Sequence, residues 1–327
     1  MASTAKDVKR HSALACVEKL VTKYSYVIIL AVIMLLFSIL SPRFFTPANL
    51  KNVGLQASIR GILAVGMTIV IITGGIDLSV GMTMTLSSIV LGYTMLHLGY
   101  GVAAGFACAL LTGTICGLVN GLLITRGNLP PFIATLGVSG ITGGLALVAT
   151  SGYSLYGFTD SFYALGAGTI LGLPVPLILL VVIGIIYNFL LHNTPSGRFT
   201  FAIGSNEEAA RLSGISVNRQ KMLYYANSGF LAGVSAIVLT SRIASAHPAA
   251  GQGYELDAVA ASVIGGASLM GGEGSIPGAI VGAIIMASIQ NGLNMLNVNP
   301  FWQKVAIGCI LIAAVLMDQL RKSRRRV

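Results

Sequence analysis

The stretch Ile72-Thr73-Gly74-Gly75-Ile76-Asp77-Leu78-Ser79-Val80-Gly81-Met82 joins two apolar runs, GILAVGMTIVIIT at 61–73 and MTMTLSSIVLGYTML at 82–96. Both runs read as hydrophobic helices. Paired glycines and one acid stand between them. An Asp at the centre of a membrane helix costs roughly 2.5–3.5 kcal/mol on insertion scales, so Asp77 needs a partner, a cavity or a cap. Gly74 and Gly75 break the helix. Asp77 then stands just ahead of the next helix, where its carboxylate can accept from free N–H groups. A broken helix at membrane depth is tolerated only where protein buries it or where it lines a cavity. That pattern points to transport.

The whole chain agrees with a membrane setting. Hydrophobic residues make up 55% of its 327 residues and charged residues 9%. Soluble domains carry about 25% charged residues, so this chain lacks the charge to cover a water-facing surface. Its length supplies about ten spans with short connections. The expected fold is therefore an all-α polytopic membrane protein of about ten transmembrane helices. The net charge of +10 is not a nucleic-acid signal, because it gathers at the ends. Lys6, Lys9, Arg10, Lys19 and Lys23 precede the first span, and Arg321, Lys322, Arg324, Arg325 and Arg326 follow the last. Under the positive-inside rule both termini face the cytoplasm and the span count is even.

The expected spans are 25–41, 50–73, 79–97, 102–125, 132–150, 174–192, 223–242, 255–269, 276–296 and 301–318. Residues 1–24 form a cytoplasmic segment, 25–318 the transmembrane domain, and 319–327 a basic tail. The polar segment 151–173 reads as an extracytoplasmic loop. The eighth span is short, about 15 residues, and reads as partly re-entrant. Gly271-Gly272-Glu273-Gly274-Ser275 breaks the chain again. Asp77 and Asp257 each introduce an apolar helix beside glycines. The topology puts the first at the inner end of its helix pair and the second at the outer end. Such a correspondence suggests an inverted internal repeat around a pathway. Gly74, Gly75, Asp77, Ser79, Glu255 and Asp257 are the candidate pathway or gate residues. The sequence leaves each acid two roles, a helix cap or a pathway-lining group. It also leaves Arg60 two, as partner of an acid or as part of an outer vestibule. Gly113, Gly117 and Gly121, at four-residue spacing, read as a helix-packing surface.

The longest charged interior stretch is 193–222. Within it, Ser205-Asn206-Glu207-Glu208-Ala209-Ala210-Arg211-Leu212-Ser213-Gly214 carries helix punctuation. Ser205 as cap and Glu208 three residues on make a capping box, and Gly214 is a suitable terminator. A two-turn helix is marginal in water and needs a surface to pack on. That surface is either its own protein or a cytoplasmic subunit. The chain has no phosphate-binding Gly-x-x-x-x-Gly-Lys-Ser/Thr loop and no nucleophile, metal or cofactor constellation. An enzyme reading has little to stand on.

Five blocks resemble one family. They are Ala64–Gly81, Pro131–Leu136, Ala209–Ile215, Gly253–Ala261 and Ser268–Gly274, in an order and spacing that fit ribose-type ATP-binding-cassette sugar importer permeases. The resemblance runs from about residue 42 to 318 and implies a permease, usually dimeric, in a bacterial inner membrane. It implies an ATP-binding subunit docked on the helix near 205–213 and a periplasmic sugar-binding protein at the outer face. The competing class is a self-sufficient secondary transporter or channel driven by an ion gradient through Asp77 and Asp257.

Overall fold

The computed structural model describes residues 25–325. The expected cytoplasmic segment 1–24 lies outside the described residues. The chain folds into thirteen helices among the described residues, with four two-residue strands. Helix α1 is Ser25–Leu40, α2 Pro47–Ile72, α3 Val80–Leu96, α4 Val102–Thr125 and α5 Pro131–Thr150. Then come β1 Leu155–Tyr156, α6 Asp160–Ala167, β2 Thr169–Ile170, β3 Leu173–Pro174 and α7 Val175–Asn193. Helices α8 Pro195–Ser205, α9 Glu207–Leu212 and α10 Val217–Ile243 follow. The chain closes with β4 Ser245–Ala246, α11 Tyr254–Ile264, α12 Ile276–Met295 and α13 Pro300–Arg325.

Six helices are long and apolar enough to cross a membrane: α2, α4, α5, α7, α10 and α12. The apolar stretches Tyr26–Leu40, Val80–Leu96 and Pro300–Leu316 are shorter. Helix α11 has only 11 residues, about 16 Å of rise, half of the hydrocarbon thickness. The protein is a polytopic helical membrane protein with interrupted helices.

Helix α2 is the axis of the core. Every residue from Ala57 to Ile72 is buried, as befits a helix apolar on all sides. Helices α10, α11, α12 and α7 pack around it. Small residues set the spacing. Ala64 packs with Ala260, Ala261, Ala279 and Ala283. On α4, a Cβ added at Gly121 would meet Met222 Cα at 2.8 Å, and one at Gly117 would meet Ala226 Cα at 2.9 Å. The stripe of Gly113, Gly117 and Gly121 is thus the α4–α10 packing surface.

Two segments carry more regular structure than expected. The segment 151–173 is not simply a loop: it holds α6, a β1–β4 pairing and a β2–β3 pairing. Its Phe162 is fully buried, so apolar burial orders this polar-looking stretch. The last helix continues beyond the expected span 301–318, whose apolar part is Pro300–Leu316. It runs through the start of the expected tail to Arg325, because Gln319 to Arg325 contains no Gly or Pro to end it.

Candidate functional site

Helix α2 ends in a Schellman motif. Gly74 has φ +78°. Its N–H donates to Ile71 O at 2.9 Å, and Gly75 N–H donates to Val70 O at 3.1 Å. Glycine takes the left-handed position without a Cβ clash. The chain then turns back along the core before α3 begins at Val80.

Asp77 lies in this turn and is 1% exposed. Its Oδ1 accepts from Ser79 N at 3.0 Å and from Ser79 Oγ at 2.6 Å. Asn120 Nδ2 reaches the same oxygen at 3.4 Å and donates to Ser79 Oγ at 2.7 Å. Ser228 Oγ donates to Oδ2 at 2.8 Å. Asp77 does not cap α3 itself: it closes a turn onto Ser79 N–H, and Ser79 is the α3 N-cap residue. The positive end of the α3 dipole adds further stabilisation. Sequence reasoning missed Asn120 and Ser228. Both are polar residues inside apolar spans, and that is a usable signal.

Glu255 and Asp257 also sit differently from expectation. Both lie in the first turn of α11 rather than ahead of it. Asp257 Oδ2 accepts from Arg60 Nε at 2.8 Å, and both residues are buried. Arg60 also bonds Gln290 Oε1 and stacks over the Tyr254 ring at 5.1 Å. The choice left open for Arg60 resolves to the acid. Glu255 accepts from Gly253 N–H through both carboxylate oxygens at 3.2 Å.

The two breaks were expected at opposite ends of their helix pairs. They meet. A Cβ at Gly81 would strike the Glu255 carboxylate and Gly251 O, and Gly251 N–H donates to Thr85 Oγ1 at 2.9 Å. Helix α11 runs parallel to α2, since Asp257 pairs with Arg60 and Ser262 bonds Ala64 O and Thr68. Helix α3 runs the other way, from Ser228 near Gly66 toward Ala246 near Gly92. So the N-termini of two short, oppositely directed helices adjoin beside the middle of α2. The local reason is glycine: neither Gly81 nor Gly251 tolerates a side chain at this contact.

The charged segment forms a second site. The capping-box expectation fails. Ser205 ends α8, and Asn206 caps α9, its Oδ1 accepting from Ala209 N–H at 2.9 Å. Asn and Ser are near-equal caps, and the helical start at Pro195 shifted the boundary by one. Gly214 terminates α9 as expected, with φ +84°. Gly214 N–H bonds Arg211 O, and Ile215 N–H bonds Ala210 O. The helix does not stand alone. Ala210 is buried, and Glu207 pairs with Lys221 at 2.5 Å and Arg211 at 3.2 Å. Burial pushes the Glu207 carboxyl up, but these two cations outweigh it and hold the group below its ordinary value. Leu212 at the tip is 81% exposed and Glu208 is exposed. The base of α9 is tied to the α2 break: Gly272 N–H donates to Ile72 O at 2.8 Å, and Gly204 fits between them.

The family described as branched-chain amino acid transport system, permease component, matches residues 49–315. The ribose import permease of Bacillus subtilis (strain 168) is 44% identical over 296 residues, covering 90% of this chain and 92% of the relative. The ribose import permease of Escherichia coli (strain K12) is 41% identical, covering 90% and 93%. The D-allose transport system permease of the same strain is 38% identical, covering 91% and 92%. No solved structure matches. The chain belongs to the family of branched-chain amino acid transport system permease components.

Proposed function

We propose that this chain is the membrane permease of an ATP-binding-cassette importer for a monosaccharide, ribose or a related sugar. The observation that carries the reading is likeness to ribose and allose permeases over nine-tenths of both chains. The geometry supports it. A passive permease needs a pathway element that moves and a handle for its motor. The adjoining N-termini of α3 and α11 supply the first, with Gly74, Gly75, Asp77, Ser79, Glu255 and Asp257 at the breaks. Helix α9 supplies the second, where Leu212 and Glu208 face outward from a well-capped, pinned helix.

In this reading an ATP-binding subunit docks on residues 205–214, and a periplasmic binding protein delivers the sugar at the far face. The protein sits in the bacterial inner membrane with ten spans in two inverted halves and both termini in the cytoplasm. A homodimer encloses the pathway. In support, Gly137, Gly140 and Gly144 on α5 leave an open face with nothing within 4 Å among the described residues, suited to close helix approach.

The test is co-purification in mild detergent of the tagged wild type beside Leu212→Asp and Glu208→Lys. Wild type brings down a phosphate-loop ATPase and the variants lose it. Equal recovery with all three chains overturns the docking assignment.

A further inference from the structure

Away from the paired breaks, a cavity of about 220 Å³ opens between α7, α8 and α10. Most of its wall area is apolar, with Ile69, Leu190, Leu191 and Leu223 on its walls. Tyr187, Thr194, Ser196, Thr200, Tyr224 and Asn227 add hydroxyl and amide groups. Leu190 and Leu223 are themselves exposed, so the mouth opens on a surface of membrane-spanning helices. Deeper in, the Tyr187 hydroxyl bonds Asn227 Oδ1. Asn227 Nδ2 is buried and has no hydrogen-bond partner among the described residues. A buried amide N–H is rarely left unpaired in a native structure. The cavity therefore asks for a ligand that is apolar along most of its length and carries an acceptor oxygen.

The rim adds charge. Arg219 precedes Leu223 by four residues and Asn227 by eight, so the three share one face of α10. Arg198 lies one turn beyond Thr194, which lines the cavity. Both arginines are exposed, and neither makes an ion pair among the described residues. Basic pockets between helix ends at a membrane surface bind anionic lipid headgroups.

We infer that the α7–α8–α10 cavity is a binding site for an anionic glycerophospholipid. Its phosphate meets Arg219 and Arg198, its glycerol backbone crosses Leu190 and Leu223, an ester carbonyl accepts from Asn227, and its acyl chains run on over the exposed surface of α7 and α10. Most of the exposed wall area is apolar, and the rim arginines, free of ion pairs among the described residues, call for an anionic headgroup that a neutral sugar lacks. Because α8 ends at Ser205, where Asn206 caps α9, the lipid would brace the base of the docking helix. This inference stands independently of which solute the protein carries.

The experiment is lipid analysis of the full-length chain purified in mild detergent, by mass spectrometry. The wild type should retain phospholipid enriched in anionic headgroups relative to the membrane extract. Arg219→Glu, a surface change, should lower anionic lipid retention about fivefold or more. Asn227→Leu should lower total retention. Added phosphatidylglycerol should raise the melting temperature of the wild type and not of Arg219→Glu, while phosphatidylcholine should raise neither. Identical retained lipid in wild type and Arg219→Glu would overturn the inference. So would stabilisation by ribose in place of phosphatidylglycerol that Asn227→Leu abolishes.

Discussion

Arg60 Nε and Asp257 Oδ2 lie 2.8 Å apart, joining positions 197 residues distant in the chain. The pair fastens the start of α11 to the middle of α2, where both residues are buried. Removing one partner strands the other charge, at a cost of about 3–5 kcal/mol. Arg60→Met and Asp257→Leu should each reduce the melting temperature and membrane level sharply. The double substitution should recover much of both, since an apolar pair can replace a buried ion pair. Double-mutant thermal unfolding checks this. A double variant as unstable as the sum of the singles would contradict it.

Among the described residues Asp77 has no cation as hydrogen-bond partner, only hydroxyls, an amide and the Ser79 N–H. Asp77→Asn keeps the size but turns one acceptor oxygen into a donor that faces Ser228 or Ser79. Transport should fall about tenfold or more, the effect of losing ~1.5–3 kcal/mol of charged hydrogen bonding, while membrane level falls less. Uptake per unit of membrane protein is the measurement, and normal uptake at normal level would refute the role.

The glycines separate by mechanism. Gly74→Ala meets nothing within 4 Å and suffers only from φ +78°, about 1–2 kcal/mol. Gly204→Ala drives a methyl into Ile72 O and comes within 2.6 Å of Gly272 N, breaking the junction below α9. Gly204→Ala should therefore be the more damaging in both stability and ATPase coupling. A thermal-shift comparison orders them, and the reverse order would count against the junction.

The Glu207 carboxyl is held below its ordinary value of 4.5, because Lys221 and Arg211 outweigh burial. A depressed folded value means the unfolded chain binds the proton more readily, so stability rises with pH through that window. The contribution of Glu207 is thus full above its ordinary value and lost as pH falls through the folded one. The protection factor over 207–213, hydrogen exchange corrected for its intrinsic pH dependence, should stay flat from neutral pH down to the carboxylate range and fall below it. Glu207→Gln should remove that acid dependence. The group is half exposed and the effect correspondingly modest.

Much of this was readable from local chemistry. The Gly74-Gly75 break, the Gly214 terminator and the Gly113-Gly117-Gly121 packing stripe each follow from what glycine alone permits. The span limits followed apolar runs, and 102–125 agrees with α4. Competition between near-equal neighbours was not readable: Ser205 and Asn206 are both good caps, and the helix that begins at Pro195 decided between them. The meeting of Gly81 with Gly251 and Glu255 was not readable either. It depends on how α3 and α11 fold back along α2, a relation no local spacing encodes. Nor did polarity reveal α6, whose order comes from Phe162 burying against α4 residues such as Phe106.

The most direct test of the central claim is sugar uptake into proteoliposomes holding this chain with and without its ATP-binding subunit, with the sugar-bound periplasmic protein on the outside and ATP within. The account predicts ribose or related-sugar uptake only when subunit and ATP are both present, and its loss with Leu212→Asp. Uptake by the chain alone, driven by an ion gradient, would contradict it and place the motor at the α3–α11 breaks.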